Sequence, residues 1–291
     1  MSYSPPCGDC GHEVPPSLNS CPHCGRPGRF PNVLAARNPA ELAELESRYQ
    51  IALADTLARK AEAPLNGFIA AVADSQAVIC YWLGEAERLA SSDNELYASY
   101  YGKLRGGSRA AKGEDWDSRR ISADGAFFPN YQEEIKFAAL TLDGLGLKSY
   151  GPCSMLCRTE MIAHRASVTE ENTVLLFEKL GVRADKLPLG YRATWDERAK
   201  ICVIKLADKI EPITKHEEYP AMLAQQGADS ANESCVEVHI YGSLTIRSLE
   251  KISVRLEAKS GKQLRIERLR YKTLVEKLKK FGVKLELVST T

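Results

Sequence analysis

Residues 235–254, CVEVHIYGSLTIRSLEKISV, contain the alternation that decides how the second half of the chain folds. Glu237 stands between Val236 and Val238. The two-residue period of a strand puts these valines on one face, and Glu237 with His239 on the other. A glycine ends this strand, and a second apolar stretch follows it. The alternation leaves two interpretations of Glu237 open: a solvent-facing residue of an edge strand, or a reactive group directed into a cleft.

Short strand-like segments alternate with amphipathic ones from about residue 125 onward. Strands are predicted over residues 149–158, 163–169, 235–241, 251–257 and 283–288, and helices over residues 131–140, 172–180, 195–209, 217–225 and 264–281. Such a mixture is typical of an α+β domain built on a mixed sheet. We predict this domain over residues 125–291.

The N-terminal segment CGDCGHEVPPSLNSCPHCG carries two CxxC pairs separated by ten residues. Two such pairs supply four thiolate ligands for a tetrahedral Zn²⁺ ion. The predicted ligands are Cys7, Cys10, Cys21 and Cys24. Because four thiolates leave no open coordination position, the role of the metal is structural or in recognition rather than catalytic. We predict a zinc ribbon over residues 1–35, which either contacts nucleic acid or protein or only braces the terminus.

Residues 36–124 are predicted to be a helical region. Asn38, Pro39 and Glu41 form a helix-start pattern of N-cap, first-turn proline and N3 carboxylate. The first helix is expected to run to about residue 62. A second is expected over residues 66–90 and a third over the segment SSDNELYASYYGKL.

Composition and missing motifs exclude several classes of protein. The 291 residues carry a net charge of +1, so no global field marks a nucleic-acid or membrane binder. No apolar run reaches the ~18 residues of a membrane span, and the N-terminus lacks the apolar segment of a signal peptide, so we expect a cytoplasmic protein without a membrane partner. The sequence also lacks GxGxxG, GxxxxGK[ST], GxSxG and HExxH, which removes the main support for dinucleotide-fold, P-loop, hydrolase-elbow and zincin enzymes.

Two neighbouring segments carry polar groups that suit a nucleotide. SYGPCSMLCR precedes HRASVT, in which Arg165, Ser167 and Thr169 share one strand face by the two-residue period. An arginine and two hydroxyls on one face suit phosphates and ribose, with the arginine as a bidentate clamp. The alternative is a half-exposed strand of alternating polarity.

The segment VEVHI, with its turn and apolar continuation, resembles the catalytic-glutamate segment of ADP-ribosyltransferases. It is most similar to that of the bacterial toxins that modify DNA or RNA bases. The segments SYGPCSMLCR and HRASV resemble the paired early strands that bind NAD in that superfamily. This resemblance covers roughly residues 125–260. It implies an ADP-ribosyltransferase-like mixed sheet domain preceded by the zinc ribbon and the helical region.

The resemblance implies roles for individual residues. Glu237 would be the catalytic glutamate, which stabilises the oxocarbenium-like state at the ribose and deprotonates the acceptor. Its loss is expected to abolish activity while leaving the fold standing. Tyr150 and Gly151 stand in place of the His-Gly pair of one branch. The NAD-binding residues implied are Tyr150, Gly151, Ser167 and either Arg158 or Arg165, and His239 is implied to line the acceptor site.

By the same resemblance, the protein would be an NAD-dependent ADP-ribosyltransferase. It would act as a toxin of a toxin–antitoxin or phage-defence system, with an antitoxin or chaperone as partner. The zinc ribbon and the basic helix RIERLRYKTLVEKLKK favour RNA or DNA over protein as the acceptor. Glu233 lies four residues before Glu237, so the Glu-x-Glu pair of arginine-specific members is missing.

Two other functions are alternatives to the transferase. The main alternative is a non-enzymatic zinc-ribbon adaptor that binds nucleic acid or protein. A zinc-stabilised nuclease is disfavoured because no cluster of Asp, Glu and His supplies a catalytic metal site.

Overall fold

A mixed sheet of eight strands lies at the centre of the fold. The computed structural model describes residues 7, 10–15, 21–25, 30–105, 114–181, 187–227, 233–256 and 260–288. The strands are β1 (Gln76–Tyr81), β2 (Ile135–Thr141), β3 (Cys153–Cys157), β4 (Ala166–Thr169), β5 (Arg192–Thr194), β6 (Ala224–Gln225), β7 (Ser234–Cys235), β8 (Glu237–Tyr241), β9 (Leu249–Arg255) and β10 (Lys284–Val288). The order across the sheet is β10-β9-β3-β1-β2-β8-β4-β5, and β6 pairs with β7 separately. Strands β9 and β10 are parallel, whereas the other neighbours in the sheet are antiparallel.

Helices cover both faces of this sheet. They are α1 (Pro31–Ala36), α2 (Pro39–Ala58), α3 (Glu62–Ala73), α4 (Leu83–Leu89), α5 (Tyr100–Arg105), α6 (Glu114–Phe127), α7 (Thr159–Ile162), α8 (Thr173–Leu180), α9 (Arg198–Leu206), α10 (Tyr219–Leu223) and α11 (Gly261–Leu278). On one face, Phe68 of α3 and Leu206 of α9 belong to the main core together with Val238. On the other face, Phe127 and Leu176 enclose a smaller apolar cluster. The valines of β8 therefore point into the main core, as their alternation predicts.

The predicted strands are present, each within or close to its predicted range. The helix predicted over residues 131–140 is wrong, because Ile135–Thr141 is strand β2. The sequence IKFAALT is buried along most of its length, and a continuous apolar run has the same appearance in a buried strand and a buried helix.

The region predicted to be purely helical contributes a central strand. The helix expected over residues 66–90 ends at Ala73, and Gln76–Tyr81 forms β1 between β2 and β3. The third predicted helix begins only at Tyr100; before it, the backbone N–H of Tyr97 donates to the carbonyl of Leu244 at 2.8 Å. The sheet thus contains a strand from the region predicted to be helical, residues 36–124, together with strands from residues 125–291.

The helix-start pattern of α2 is confirmed, and its glutamate has a second role. Asn38 accepts a hydrogen bond from the backbone N–H of Ala40 at 2.9 Å. The Oε1 atom of Glu41 accepts from three consecutive backbone N–H groups, those of residues 190–192, at 3.0, 3.1 and 3.0 Å. Glu41 therefore fixes the start of β5 to the first turn of α2. Within the described part of the chain, no helix combines the length and apolarity needed to cross a membrane.

Candidate functional site

The four cysteines predicted to bind zinc lie together. Their Sγ atoms are all within 4.8 Å of one another. The distance from Cys7 to Cys24 is 3.7 Å and that from Cys10 to Cys21 is 3.5 Å. A tetrahedral zinc ion with Zn–S bonds of about 2.3 Å separates its sulfurs by about 3.8 Å, so this donor set fits Zn²⁺.

Backbone amides of the second knuckle support a thiolate. The N–H of Cys24, and with it that of His23, lowers the pKa of the Cys21 thiol to about 6. His12 and His23 stack on each other with ring centroids 3.6 Å apart, and both rings are exposed beside Cys10. Apart from these groups, the described residues contain no other cluster of three or more His, Cys, Asp or Glu able to hold a metal. The ribbon is therefore the metal site that this part of the chain offers.

Glu237 lies inside the sheet and is almost fully buried. Its strand β8 pairs with β2 on one side and β4 on the other, and only 4% of Glu237 is exposed. The interpretation as a solvent-facing residue of an edge strand is therefore wrong. The Oε1 atom accepts from Asn172 Nδ2 at 2.9 Å, and Oε2 accepts from the backbone N–H of Thr173 at 2.9 Å. The carboxylate thus sits at the N-terminus of α8, where the helix dipole favours negative charge.

His239 completes the set of groups around this carboxylate. Its Nε2 lies 3.1 Å from Oε2 of Glu237. Burial by itself raises the pKa of Glu237, but the hydrogen bond and charge of His239, the charge of Arg120 and the Thr173 amide together lower it. Glu237 is consequently a buried carboxylate that stays ionised at neutral pH.

A second buried carboxylate, Asp124 of α6, lies close to the first. It accepts from Nε of Arg120 at 3.0 Å and from the hydroxyl of Thr173 at 3.1 Å, so Thr173 joins both acids. Burial raises the pKa of Asp124, and the negative charge of Glu237 raises it further. The two acids are therefore shifted in opposite directions, a pattern found where carboxylates have different tasks.

A cavity of about 140 Å³ opens beside Glu237. Its polar lining includes Glu237, Arg120 and Asn172, and its aromatic lining includes Tyr97, Tyr100, Phe137 and Tyr150. The guanidinium of Arg120 lies 4.1 Å from the centre of the Phe137 ring. Arg120 is almost fully buried, with 8% of the residue exposed. Its terminal nitrogens nevertheless have no hydrogen-bond partner among the described residues. Sites for drug-sized ligands have volumes of about 300–1,000 Å³. A cavity of about 140 Å³ is smaller than these, so it holds one ring or one sugar.

Of the residues implied to bind NAD, Tyr150 lines this cavity. Gly151 follows with a φ of 137°, and a Cβ at this position would lie 2.4 Å from the carbonyl carbon of Tyr81. Only glycine allows β1 and the start of β3 to approach so closely. Gly151 therefore allows the backbones of β1 and β3 to lie close together, and this places Tyr150 in the wall of the cavity.

The other residues implied to bind NAD do not line the cavity. Nη1 of Arg165 donates to the carbonyls of Tyr241 and Ser243, at 2.5 and 3.0 Å. Arg158 is the N-cap residue of α7, and its backbone N–H donates to the carbonyl of Ser248. Since Arg165 precedes β4 in a 3-10 turn and caps the end of β8, it does not continue the strand face that the sequence predicts.

Ser167 and His239 are buried deeper than their predicted roles require. The Ser167 hydroxyl accepts from Asn32 Nδ2 at 3.2 Å. His239 is 1% exposed and lies between the rings of Phe128 and Phe137, at 4.7 and 5.6 Å. In this position His239 orients Glu237, and it does not reach the cavity surface where an acceptor would lie.

Sequence reasoning missed Arg120 and Asn172. Asn172 precedes TVLLFEKLG, and its N-cap role, confirmed by a 3.0 Å bond from Val174 N, is a recognisable signal. Arg120 lies in the polar stretch GEDWDSRRISADG, where nothing in the pattern indicates that one arginine is buried. No family model and no curated protein matches the chain.

Proposed function

We propose that the chain is an NAD-dependent ADP-ribosyltransferase that modifies a macromolecular acceptor, with RNA or DNA favoured over protein. One observation carries the proposal: an ionised, buried carboxylate, Glu237, forms part of the wall of a ring-sized cavity with aromatic walls. The resemblance of VEVHI to a catalytic-glutamate segment points to the same residue.

The cavity suits the nicotinamide end of NAD as a substrate. Its volume excludes the whole dinucleotide, so the adenylate would lie outside, beyond Tyr150, which is 37% exposed. Tyrosine and phenylalanine rings attract a cationic ring through cation–π interaction, and nicotinamide is cationic while it is bound to ribose. The terminal N–H groups of Arg120 have no partner within the described part of the chain, and they would donate to the carboxamide oxygen.

In the proposed reaction, the bond between ribose C1′ and the nicotinamide nitrogen breaks, and its electron pair leaves with neutral nicotinamide. An acceptor oxygen or nitrogen then forms a bond to C1′ and releases its proton to solvent water. Three of about four lone-pair positions of Glu237 are used by Asn172, Thr173 and His239, which leaves one for a ribose hydroxyl. Its low pKa makes Glu237 better suited to stabilise positive charge at C1′ than to act as a strong base.

The biological setting rests on the resemblance alone. We propose a toxin of a toxin–antitoxin or phage-defence system, with an antitoxin or chaperone as partner. Expression of the wild-type chain in bacteria should then slow growth, and a variant without transferase activity should not. Equal growth of both strains would contradict this part of the proposal.

The decisive experiment incubates the purified chain with labelled NAD and separate pools of RNA, DNA and protein. Wild type should label one nucleic-acid pool, and Tyr150→Ala, which removes a partly exposed cavity wall, should label it far less at unchanged folding. Glu237→Gln should not label it at all. Failure of wild type to label any pool would overturn the proposal.

A second function is favoured by the hydrogen bonds of Glu237. Three protein donors surround the carboxylate, so its burial is explained without any substrate. In that case Glu237 only ties β8 to α8, and the chain is a non-enzymatic zinc-ribbon adaptor for nucleic acid or protein. Unchanged biological effect of Glu237→Gln, with no transfer by wild type, would favour this function.

A further inference from the structure

A groove lies next to the cavity, at one end of the sheet. Trp82 follows β1, Pro152 precedes β3 and Arg255 ends β9, and all three line this groove. Because β3 is antiparallel to both β1 and β9, these three positions meet at the same end of the sheet. The groove has a volume of about 340 Å³. This volume is within the range of about 300–1,000 Å³ that small-molecule sites have.

One face of α11 forms a wall of the groove. Four lining residues have the spacing of a single helix face: Gln263, Ile266, Glu267 and Arg270. Glu267 is the acidic residue among them, and its Oε1 accepts from Gln263 Nε2 at 3.2 Å. The exposed Arg268 lies about 200° from Arg270 around the helix, on the side away from the groove. The same helix therefore offers one arginine inside the groove and one outside it.

Arg255 is a buried arginine without an ion pair in the described part of the chain. It is 8% exposed. Its one hydrogen bond among the described residues runs from Nη2 to the carbonyl of Gly146, at a length of 3.5 Å that makes it weak. Buried charges are normally paired with an opposite charge, so this guanidinium suits an anionic ligand.

The guanidinium of Arg255 lies between the groove and the cavity. Burial raises the pKa of the Cys80 thiol to about 11, and the nearby positive charge of Arg255 opposes this rise. Cys80 lines the cavity, whereas Arg255 lines the groove. An anion bound to Arg255 would thus lie where the two spaces meet.

Arg270 supplies a second cation from the opposite wall. Its Nη1 occupies the space that a Cβ at position 84 would need, so Gly84 leaves room for the guanidinium. Arg270 has no ion pair among the residues that the structure describes. The two arginines outnumber Glu267, and the groove is positively charged.

Trp82 gives the groove an aromatic surface. It is the N-cap residue of α4, and 58% of it is exposed. A planar ring that stacks on the indole removes apolar surface from water on both partners. An exposed aromatic face beside two cations therefore suits a planar ring that carries phosphate.

We propose that the Trp82 groove binds a nucleoside phosphate, with the base stacked on Trp82 and the phosphates held by Arg255 and Arg270. The planar fork of arginine matches phosphate oxygens, and every base has a face that stacks on tryptophan. The ligand is either a free mononucleotide or the nucleotide part of NAD. Both sources fit, because Tyr81 lines the cavity directly before Trp82 in the chain. The site goes beyond the proposed function and does not depend on it.

The test is calorimetric titration of the full chain with ADP at low salt. Wild type should bind ADP more tightly than adenosine, because adenosine lacks the phosphates. Trp82→Ala should raise the Kd of ADP about fivefold or more, and Trp82→Phe, which keeps a ring, should restore most of the affinity. Arg270→Gln should raise the Kd about two- to fivefold, as loss of an exposed ion pair does. Arg255→Gln should raise it about tenfold or more, after correction for the folded fraction.

A matched control removes a charge from the other side of α11. Arg268→Gln should leave the Kd of ADP at the wild-type value, because Arg268 lies away from the groove. Equal effects of Arg268→Gln and Arg270→Gln would overturn the inference. Equal affinity of wild type for adenosine and ADP would do so too, as would a wild type that binds neither ADP nor NAD.

Saturating NAD distinguishes the two sources. If the nucleotide part of NAD occupies the groove, NAD displaces ADP, and Trp82→Ala raises the Kd of both ligands by a similar factor. If the ligand is a free mononucleotide, ADP still binds in the presence of NAD. ADP binding that depends on Trp82, without transfer from NAD, keeps this site and overturns the transferase. Transfer from NAD with an unchanged KM in Trp82→Ala, and without ADP binding, keeps the transferase and overturns this site.

Discussion

Two buried glutamates of this chain fix one element to another, and they do so in different ways. Glu41 and Glu237 are 2% and 4% exposed. Glu41 accepts all three of its backbone hydrogen bonds through Oε1. Glu237 divides its hydrogen bonds between Oε1 and Oε2. An amide can replace a carboxylate that uses one oxygen, but it cannot replace one that uses both.

The surroundings of the two glutamates also differ. The region of Glu41, between α2 and β5, is filled by protein, with Arg192 Nε 3.7 Å away. The region of Glu237, between β8 and α8, opens onto the cavity, where the terminal nitrogens of Arg120 have no hydrogen-bond partner among the residues that the structure describes. A carboxylate whose hydrogen bonds are all made to protein can thus have a purely structural role. The adjacent cavity is what distinguishes Glu237 from Glu41. The comparison can be tested by changing each glutamate to glutamine.

The largest effect is expected for Glu237→Gln. Loss of charge next to the reacting ribose should reduce the rate of ADP-ribosyl transfer about 10²–10³-fold. The new amide also places an NH₂ group against either the Thr173 N–H or Asn172 Nδ2, which should lower the free energy of unfolding by about 1–3 kcal/mol. This differs from the expectation from sequence that the fold would be unaffected.

Both quantities are measured on the same preparation, by single-turnover transfer from labelled NAD and by urea unfolding. The transfer rate is normalised to the folded fraction. A normalised rate equal to that of wild type would show that Glu237 is only a structural anchor.

Gly151→Ala should move the cavity wall without touching either glutamate. The φ of 137° and the 2.4 Å approach of a Cβ to Tyr81 require a backbone shift, at a cost of about 1–3 kcal/mol. Because Tyr150 is the preceding residue, nicotinamide and NAD should bind more weakly. Calorimetric titration with nicotinamide checks this, with Gly181→Ala as a control at a left-handed helix end where a Cβ meets nothing. Unweakened binding in Gly151→Ala would mean that the Tyr150 wall is not a ligand contact.

Glu41→Gln should have a smaller effect. The amide oxygen can keep the three N–H groups of residues 190–192. Burial raises the pKa of Glu41, so loss of its charge should change the unfolding free energy by less than about 1 kcal/mol. Transfer per folded molecule should equal that of wild type. A loss of stability larger than in Glu237→Gln would contradict the distinction between one-oxygen and two-oxygen anchors.

The sequence predicted which face each residue of β8 occupies, because one strand face must be apolar to meet a core. It could not predict that β8 is an interior strand, since this depends on pairing with β4, whose residues lie 68–74 positions earlier in the chain. QAVICY was assigned to a helix for the same kind of reason: buried on both faces, β1 shows no period of two.

The candidate site shows the same limit. Glu237 and Tyr150 were found from short patterns, and both line the cavity. Arg120 was not found, because its burial comes from packing of α6 against the sheet and from Asp124 one turn later. Arg165 has the right residue type in the right segment, but its guanidinium donates to three backbone carbonyls, those of residues 161, 241 and 243. Local patterns predict which groups are present, and tertiary packing decides which of them stay free.

The smallest expected effect is a difference in pH dependence between wild type and Glu237→Gln. The pKa of Glu237 lies below its value of about 4.3 in the unfolded chain, so the carboxylate stabilises the fold above that pH. As the pH falls from about 4.3 through the folded pKa, the unfolded chain takes up a proton first and this stabilisation is lost. Glutamine has no proton to bind, so the variant should lose less stability than wild type in this interval. Urea unfolding at pH 5 and pH 3 measures the difference. Parallel losses in the two proteins would mean that folding does not lower the pKa of Glu237, and a smaller loss in wild type than in the variant would mean that the carboxyl is protonated in the folded chain.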